Sequence, residues 1–595
     1  MVNHMKLYIA ILGLAAIALS GCKKILEPEP ENLKTIEQAY TDATFAQGIL
    51  INSYNNIPAY YDNSEQATDD AVTNQLGSAY QQLATGAWTS SNNPVSLWNQ
   101  SYEAMQYINL FLENSAKVKF AADAEVNTLF NRRFRGEAFG LRALYYYFLL
   151  RNHGGVASNG QLMGVPLVTK YQTIADDFNQ PRASFDNCVK QVYRDLDSAE
   201  TYLPVEYNDI SAAAQIPAAF QSYTQNVNNY NRVMGTAARQ FVNGLIAKAI
   251  RARVALLAAS PAFAPTTAKW QDAATSASVL IDYRGGANAL PATGGTYYAT
   301  DVDNQSNGSN PPEIIWRANL SSSDLSNQQE AQNFPPSLFG SGLMNPTQNL
   351  VDAFPMANGY PINHPNAAYD PANPYANRDP RFRNYIIYDG SIAGVSNAVI
   401  RTGSSSTTAD AINKPNATRT GYYMKKRLRM DVSRNPSSLN PKNHFLPRIR
   451  FTEMYLDYAE AANEAYGPMG TGSKSYSAYD VIKAIRKRAL SPNAAFADPY
   501  LEEIKGDQSK MRELIRNERR LELSFESFRF WDLRRWKVDL TKLNETARGL
   551  DVNGSVVTPL DNVEQRSFQS YMYYGPIPIT EVQKYNQLLQ NQGWR

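Results

Sequence analysis

The chain has 595 residues, 43% hydrophobic and only 19% charged, with 57 Lys plus Arg against 55 Asp plus Glu. Such a length can build several domain cores or one large repeat fold, and a formal net charge of +2 excludes a nucleic-acid binder driven by a strong positive field. Two cysteines and four scattered histidines exclude a disulfide-stapled scaffold, a Cys-based zinc site and a His-rich catalytic metal centre, whereas the abundant carboxylates leave glycosidase chemistry open.

Lys6 and the uncharged run Leu7 to Leu19 read as the n- and h-regions of a signal peptide, too short for the ~20 apolar residues that span a bilayer. The run ends in Leu19-Ser20-Gly21-Cys22, which resembles the lipobox of bacterial lipoproteins. This predicts a signal peptide over 1–21, acylation of the Cys22 thiol, and an extended Pro/Glu tether over 22–35. The body, 36–595, is expected to be one soluble unit held at a membrane surface by that lipid, with no other cofactor.

Helical periodicity dominates the first half of that body. Phe45, Ile49 and Tyr54 share one face, and Trp98, Tyr102, Met105, Ile108 and Leu112 share another. Helices are expected over about Asn131 to Arg151, Asp186 to Leu203, Gly235 to Ser260 and Trp270 to Ile281. Small residues at facing positions suit stacked helix pairs, although no clean repeat is visible. The stretch 283–447 is rich in Gly, Pro, Asn, Ser and Tyr and reads as long loops, short strands and short helices. Helix returns over about Phe451 to Tyr466, Tyr479 to Ala489 and Lys510 to Phe528, and Thr580 with Gln583 fits a capping box opening a last short helix.

Several segments together carry a family resemblance. Arg135-Gly136-Glu137-Ala138-Phe139-Gly140-Leu141-Arg142-Ala143-Leu144-Tyr145-Tyr146 is followed by Gly164-Val165-Pro166-Leu167, then by Pro346-Thr347-Gln348-Asn349-Leu350-Val351-Asp352-Ala353-Phe354 and Asn377-Arg378-Asp379-Pro380-Arg381-Phe382. Next come Thr420-Gly421-Tyr422-Tyr423-Met424-Lys425-Lys426, the helix Glu453 to Glu464, Arg516 to Glu526, and Phe530-Trp531-Asp532-Leu533-Arg534-Arg535-Trp536. In this order, behind a lipobox, they resemble the SusD/RagB family of outer-membrane nutrient-binding lipoproteins. The resemblance implies a mostly α fold on a tetratricopeptide-like helix-pair scaffold (about 36–282 and 448–537), a loop-rich ligand-facing part (about 283–447) and few short strands. It implies a non-enzymatic lid, lipid-anchored on the outer membrane and exposed at the cell surface. Such a lid captures a glycan, or a peptide in some members, for a SusC-like TonB-dependent transporter. One departure is that Lys23 and Lys24 precede the acids Glu27, Glu29 and Glu31 after the lipidated position.

No catalytic motif appears, and Cys188 on an apolar helix face reads as an inert core thiol. Charges on apolar helices, Glu137, Arg142, Glu453 and Glu460, are expected to form buried structural pairs. The charged helix 510–537 reads as an ion-pair network at i,i+3 spacing, Arg519 with Glu522 and Glu526 with Arg529. Sugar C–H faces stack on flat rings, so loop aromatics are the ligand candidates. They are Tyr60 and Tyr61 in a polar loop reaching Asp69, Trp88 between turn signals, and Tyr297 with Tyr298 after Gly294-Gly295. Trp98 and Trp316 lie in patterned segments and are assigned to the core. A surface glycoside hydrolase, a peptide-binding relative and a purely structural scaffold remain open alternatives.

Overall fold

A computed structural model describes residues 36–58, 61–299, 309–318, 324–490 and 497–595. Cys22, the leader, the tether and Tyr60 lie outside the described residues.

The scaffold is a succession of helices: α1 (Ala43–Asn55), α2 (Trp98–Asn114), α3 (Ala124–His153), α4 (Phe185–Tyr202), α5 (Gly244–Ala259), α6 (Thr267–Arg284), α7 (Phe451–Tyr466), α8 (Ala478–Leu490), α9 (Gln508–Glu522) and α10 (Arg529–Arg535). Each helix from α1 to α8 packs on the next, and α9 packs on α7, giving the mostly α, tetratricopeptide-like architecture. One apolar core runs through them from Ala39 to Leu588. The middle of the chain consists of short helices and strands, as its Gly/Pro-rich composition predicts.

The helix starts follow side-chain caps that periodicity does not reveal. The Asp123 carboxylate accepts from the Val126 amide at 2.9 Å, so α3 begins at Ala124 rather than near Asn131. Asn243 caps α5 through the Ile246 amide at 2.9 Å. The helix expected from Gly235 therefore starts only at Gly244, and Val227–Met234 forms a separate helix before the expected span. The last helix, Ile579–Lys584, has Pro578 at its N-cap with no side-chain cap, which places Thr580 inside it and removes the expected capping box. The expected helix to Phe528 ends at Glu522, because Phe525 and Ser527 both take φ of +62°.

The paired strands are short: β1 (Ala71–Thr73) with β3 (Met344–Pro346), and β2 (Ile314–Arg317) with β4 (Pro447–Arg450), both antiparallel. The exception, absent from the sequence expectations, is a hairpin of β5 (Ala547–Asn553) and β6 (Val556–Glu564) turning at Gly554, φ +63°. Close helix contact rests on α3 glycines. A Cβ on Gly136 would stand 2.8 Å from Tyr202 Cβ and 2.5 Å from Leu203 Cγ. Gly136→Val is therefore expected to destabilise by about 1–3 kcal/mol through overpacking, read as a lower urea midpoint with unchanged slope.

Candidate functional site

The charged residues of the sequence motifs are buried and pair across the fold. From α9, Glu518 meets Arg381 at 2.9 Å and Arg486 at 2.7 Å, and Glu522 meets Arg381 at 3.1 Å and Arg488 at 3.0 Å. On its other face Arg519 holds Asp457 at 2.6 Å and Asp532 at 2.8 Å, and Arg535 joins Asp532 to Glu460. The ion network is as expected, but the i,i+3 pairs proposed from spacing are replaced by these long-range partners. Arg142–Asp195, Arg253–Glu453 and Arg535–Glu460 bear out the structural pairing of helix charges, while Glu137 pairs within its own helix with Arg133 at 2.7 Å. Cys188 is buried, with burial pushing its thiol up to about 11.

The α9 C-terminus positions a functional-looking turn. Its last carbonyls need partners, and cations supply them: Lys426 Nζ donates to the Glu522 and Ser524 carbonyls at 2.7 and 3.1 Å, Arg450 donates to the Glu522 carbonyl, and Arg427 donates to the Phe525 carbonyl at 2.6 Å. These bonds hold the left-handed Phe525 and Ser527, a strain that other contacts must over-determine. Between them, Glu526 reaches Lys426 at 2.6 Å and Arg450 at 2.8 Å. Burial alone would raise its pKa, but Arg450 and Lys426 outweigh that and hold it below the usual range.

This turn forms one wall of a cleft of about 310 Å³, at the lower end of the ligand-pocket range of about 300–1,000 Å³. Tyr61, Tyr147, Phe148, Trp316 and Phe528 supply rings, and Arg151, Arg253, Arg448, Asp62 and Glu526 supply charge. The Tyr61 hydroxyl donates to Glu526 at 3.2 Å, Ser527 Oγ donates to the Asp62 carbonyl at 3.0 Å, and the Arg427 guanidinium lies 5.2 Å from the Tyr61 ring. The long-range contact thus fixes the 61–62 loop to the turn after α9.

Of the sequence candidates among the described residues, only Tyr61 lines this cleft. Tyr297 stands behind it, hydroxyl to hydroxyl at 3.5 Å, but is fully buried with Tyr298, Ile314 and Phe445. Trp88 is 1% exposed, packed on Phe530 and Trp594 in a separate core. Asp69 is buried in an ion cluster with Arg529 at 2.8 Å, Lys542 at 2.9 Å and Arg520 at 3.1 Å. The exposure assigned to Asp69, Trp88, Tyr297 and Tyr298 is therefore corrected: long-range packing buries residues whose local sequence looks like open loop. Trp98 and Trp316 are buried as expected, yet Trp316 also floors the cleft. Phe148 and Phe528 were missed because aromatics in helical stripes were assigned to the core, and Tyr147 lay outside the stripe and was not singled out. Phe148 and Phe528 are half-buried near helix ends and Tyr147 is buried, and only the three-dimensional arrangement brings them to the cleft.

Beside Asp62, Glu65 is fully buried without an ion-pair partner among the described residues. Burial, then Asp70 and Asp62, raise its pKa well above the ordinary 4.5. Above pH 4.5 the native state keeps a proton that the unfolded chain has released, so this group's contribution to stability falls as pH rises. Glu65→Gln is expected to stabilise the protein at pH 8, by about 1.4 kcal/mol per pH unit up to the folded pKa. The gain vanishes below pH 4.5 in thermal melts run across pH 4 to 8.

Comparison with known proteins agrees with this architecture. The model described as "SusD family" matches residues 312–594, and a second, described as "Starch-binding associating with outer membrane", matches 29–223. The chain is 23% identical over 547 residues to SusD-like protein P38 of Formosa agariphila, covering 87% of this chain and 88% of that one. A SusD-like protein from Bacteroides fragilis superposes with TM-score 0.70 at 23% identity, over 96% of this chain and 100% of that one. A SusD-like carbohydrate binding protein from the same species gives 0.66 at 21%, over 91% and 98%. Sequence motifs, fold and both family models converge: the chain belongs to the SusD/RagB family.

Proposed function

We propose that this protein is a non-enzymatic lipoprotein of the outer membrane surface, anchored through Cys22, that captures a glycan and passes it to a SusC-like TonB-dependent transporter. The observation carrying this reading is the cleft, where flat rings from Tyr61, Tyr147, Phe148 and Phe528 converge with guanidinium and carboxylate groups. Rings accept sugar C–H faces and the polar groups accept hydroxyls, the usual division of labour in a pocket for a polar ligand. Family membership supports it, since one matching model is described by starch binding at the outer membrane.

The hydrolase alternative needs a carboxyl group that stays protonated to serve as general acid. Glu526 has the opposite environment, held ionised by Arg450 and Lys426, and Glu65, whose pKa is raised, is fully buried and does not line the cleft. Affinity electrophoresis and calorimetry against soluble polysaccharides and oligopeptides, with product analysis of the same samples, test the proposal. The expected result is binding of a glycan that is recovered intact. Recovery of shortened glycan, or binding of peptides only, overturns it.

A further inference from the structure

The cleft's charges do not balance locally, although the chain as a whole is nearly neutral. Of its arginines, Arg253 is paired with Glu453 at 2.6 Å, whereas Arg151 and Arg448 form no ion pair among the described residues. The Arg448 guanidinium lies 4.8 Å from the Trp316 ring, and its buried Nε has no hydrogen-bond partner. It also lines a second hollow beside Ile51, Tyr54 and Phe241, and burial pushes its pKa down to about 10. Arg151 rests against Trp531, Tyr147 and Phe148 at 5.0, 5.6 and 5.7 Å, with Nε donating to Asn152 Oδ1 at 3.0 Å.

Ring contacts offset part of the desolvation of these two cations, yet leave guanidinium N–H edges unpaired. An unpaired, partly buried charge is unfavourable, so its retention calls for a counter-charge from outside the chain. The cleft's own carboxylates do not supply one. Glu526 is satisfied by Arg450 and Lys426, and Asp62 accepts from the Ser64 amide at 2.9 Å. The groups that favour the charge of Arg448 against burial are Tyr145 and Tyr54, not a cleft carboxylate.

We infer that the cleft selects saccharides bearing a carboxylate or sulfate group, with Arg448 beside Trp316 as the principal anion-binding residue and Arg151 as the second. This rests on the glycan-capture reading and names the substrate class of that site. A guanidinium edge meets either anion through paired N–H···O bonds, a geometry that an uncharged hydroxyl does not reproduce.

The test uses affinity gels and calorimetry with alginate, polygalacturonate, chondroitin sulfate and carrageenan. Each is run beside its methyl-esterified or desulfated derivative, together with neutral xylan and galactan. Preference for the carboxylated or for the sulfated members identifies the anion. At least one anionic polymer is expected to bind, its neutralised derivative much less, and R448Q to weaken it by about tenfold or more, the value of a charge-assisted hydrogen bond. R401Q, at an exposed arginine paired with Asp389, controls for general surface charge and leaves binding unchanged. R448Q is further expected to melt at or above the wild-type temperature, because it removes a charge that has no partner. Binding of neutral glycans alone, or anionic binding unaltered in both R448Q and R151Q, overturns the inference while glycan capture stands. A fall in melting temperature for R448Q makes Arg448 structural and overturns it too. Binding of no glycan overturns both readings.

Discussion

Arg450→Met is expected to lower the unfolding free energy by about 3–5 kcal/mol, the range for breaking a buried ion pair on one side. Arg450 is 1% exposed and holds Glu313 at 2.7 Å and Glu526 at 2.8 Å while donating to the Glu522 carbonyl. Met fills similar volume without charge, so Glu313 keeps the Thr452 amide at 3.1 Å and a more distant Arg488 at 3.7 Å, and Glu526 keeps Lys426 and the Tyr61 hydroxyl. The α9 C-terminus simultaneously loses a donor, and the left-handed turn at Phe525 and Ser527 loses one of the contacts that pay for it. Urea unfolding reads the effect. A loss below about 1 kcal/mol would mean that the network relaxes around the gap, as ion pairs in better-hydrated settings do.

Trp88→Ala is expected to destabilise by about 3–5 kcal/mol, as for other buried aromatics truncated to Ala, and to leave the affinity of the folded protein for its ligand unchanged. Trp88 packs edge-on against Phe530 at 5.6 Å and Trp594 at 4.9 Å, and its indole N–H donates to Asn93 Oδ1 at 3.1 Å. It also faces Arg534, whose guanidinium is buried with only the Phe530 carbonyl as hydrogen-bond acceptor among the described residues, lying 5.0 Å from Trp88 and 3.4 Å from Phe530. Removing the indole therefore opens a cavity and strips a ring from a buried cation. Calorimetric titration below the lowered melting temperature separates the two roles. Lost affinity with unchanged stability would return Trp88 to the ligand site.

The helices were legible because their apolar faces repeat at the helical period, as with Trp98, Tyr102, Met105 and Ile108 on α2. Their ends were not, because a single cap such as Asn243 or Asp123 decides them. The β5–β6 hairpin escaped notice because β6 is largely exposed and carries no apolar alternation. Within the site, Tyr61 was readable from its place after Pro58 in a polar loop. Trp88 looked the same locally, and only contacts with Phe530 and Trp594, more than four hundred positions away, bury it. Arg448 shows the same limit from the other side. That Arg253 has a carboxylate and Arg448 has none depends on which side chains reach them in space, with Arg253 finding Glu453 two hundred positions along the chain. Motif residues such as Arg381, Glu518 and Glu522 proved to be framework, which positions the turn at Glu526 and through it the loop at Tyr61.

The central claim is that the cleft between Tyr61, Phe148, Trp316 and Phe528 holds an intact saccharide. A crystal structure of the mature protein soaked with the oligosaccharide selected by affinity electrophoresis tests it most directly. The expected result is an uncleaved chain in that cleft, a ring against Tyr61, Phe148 or Phe528, and an anionic group at Arg448. Saccharide density on another face with the cleft empty, or a cleaved product beside Asp62 and Glu526, would contradict it.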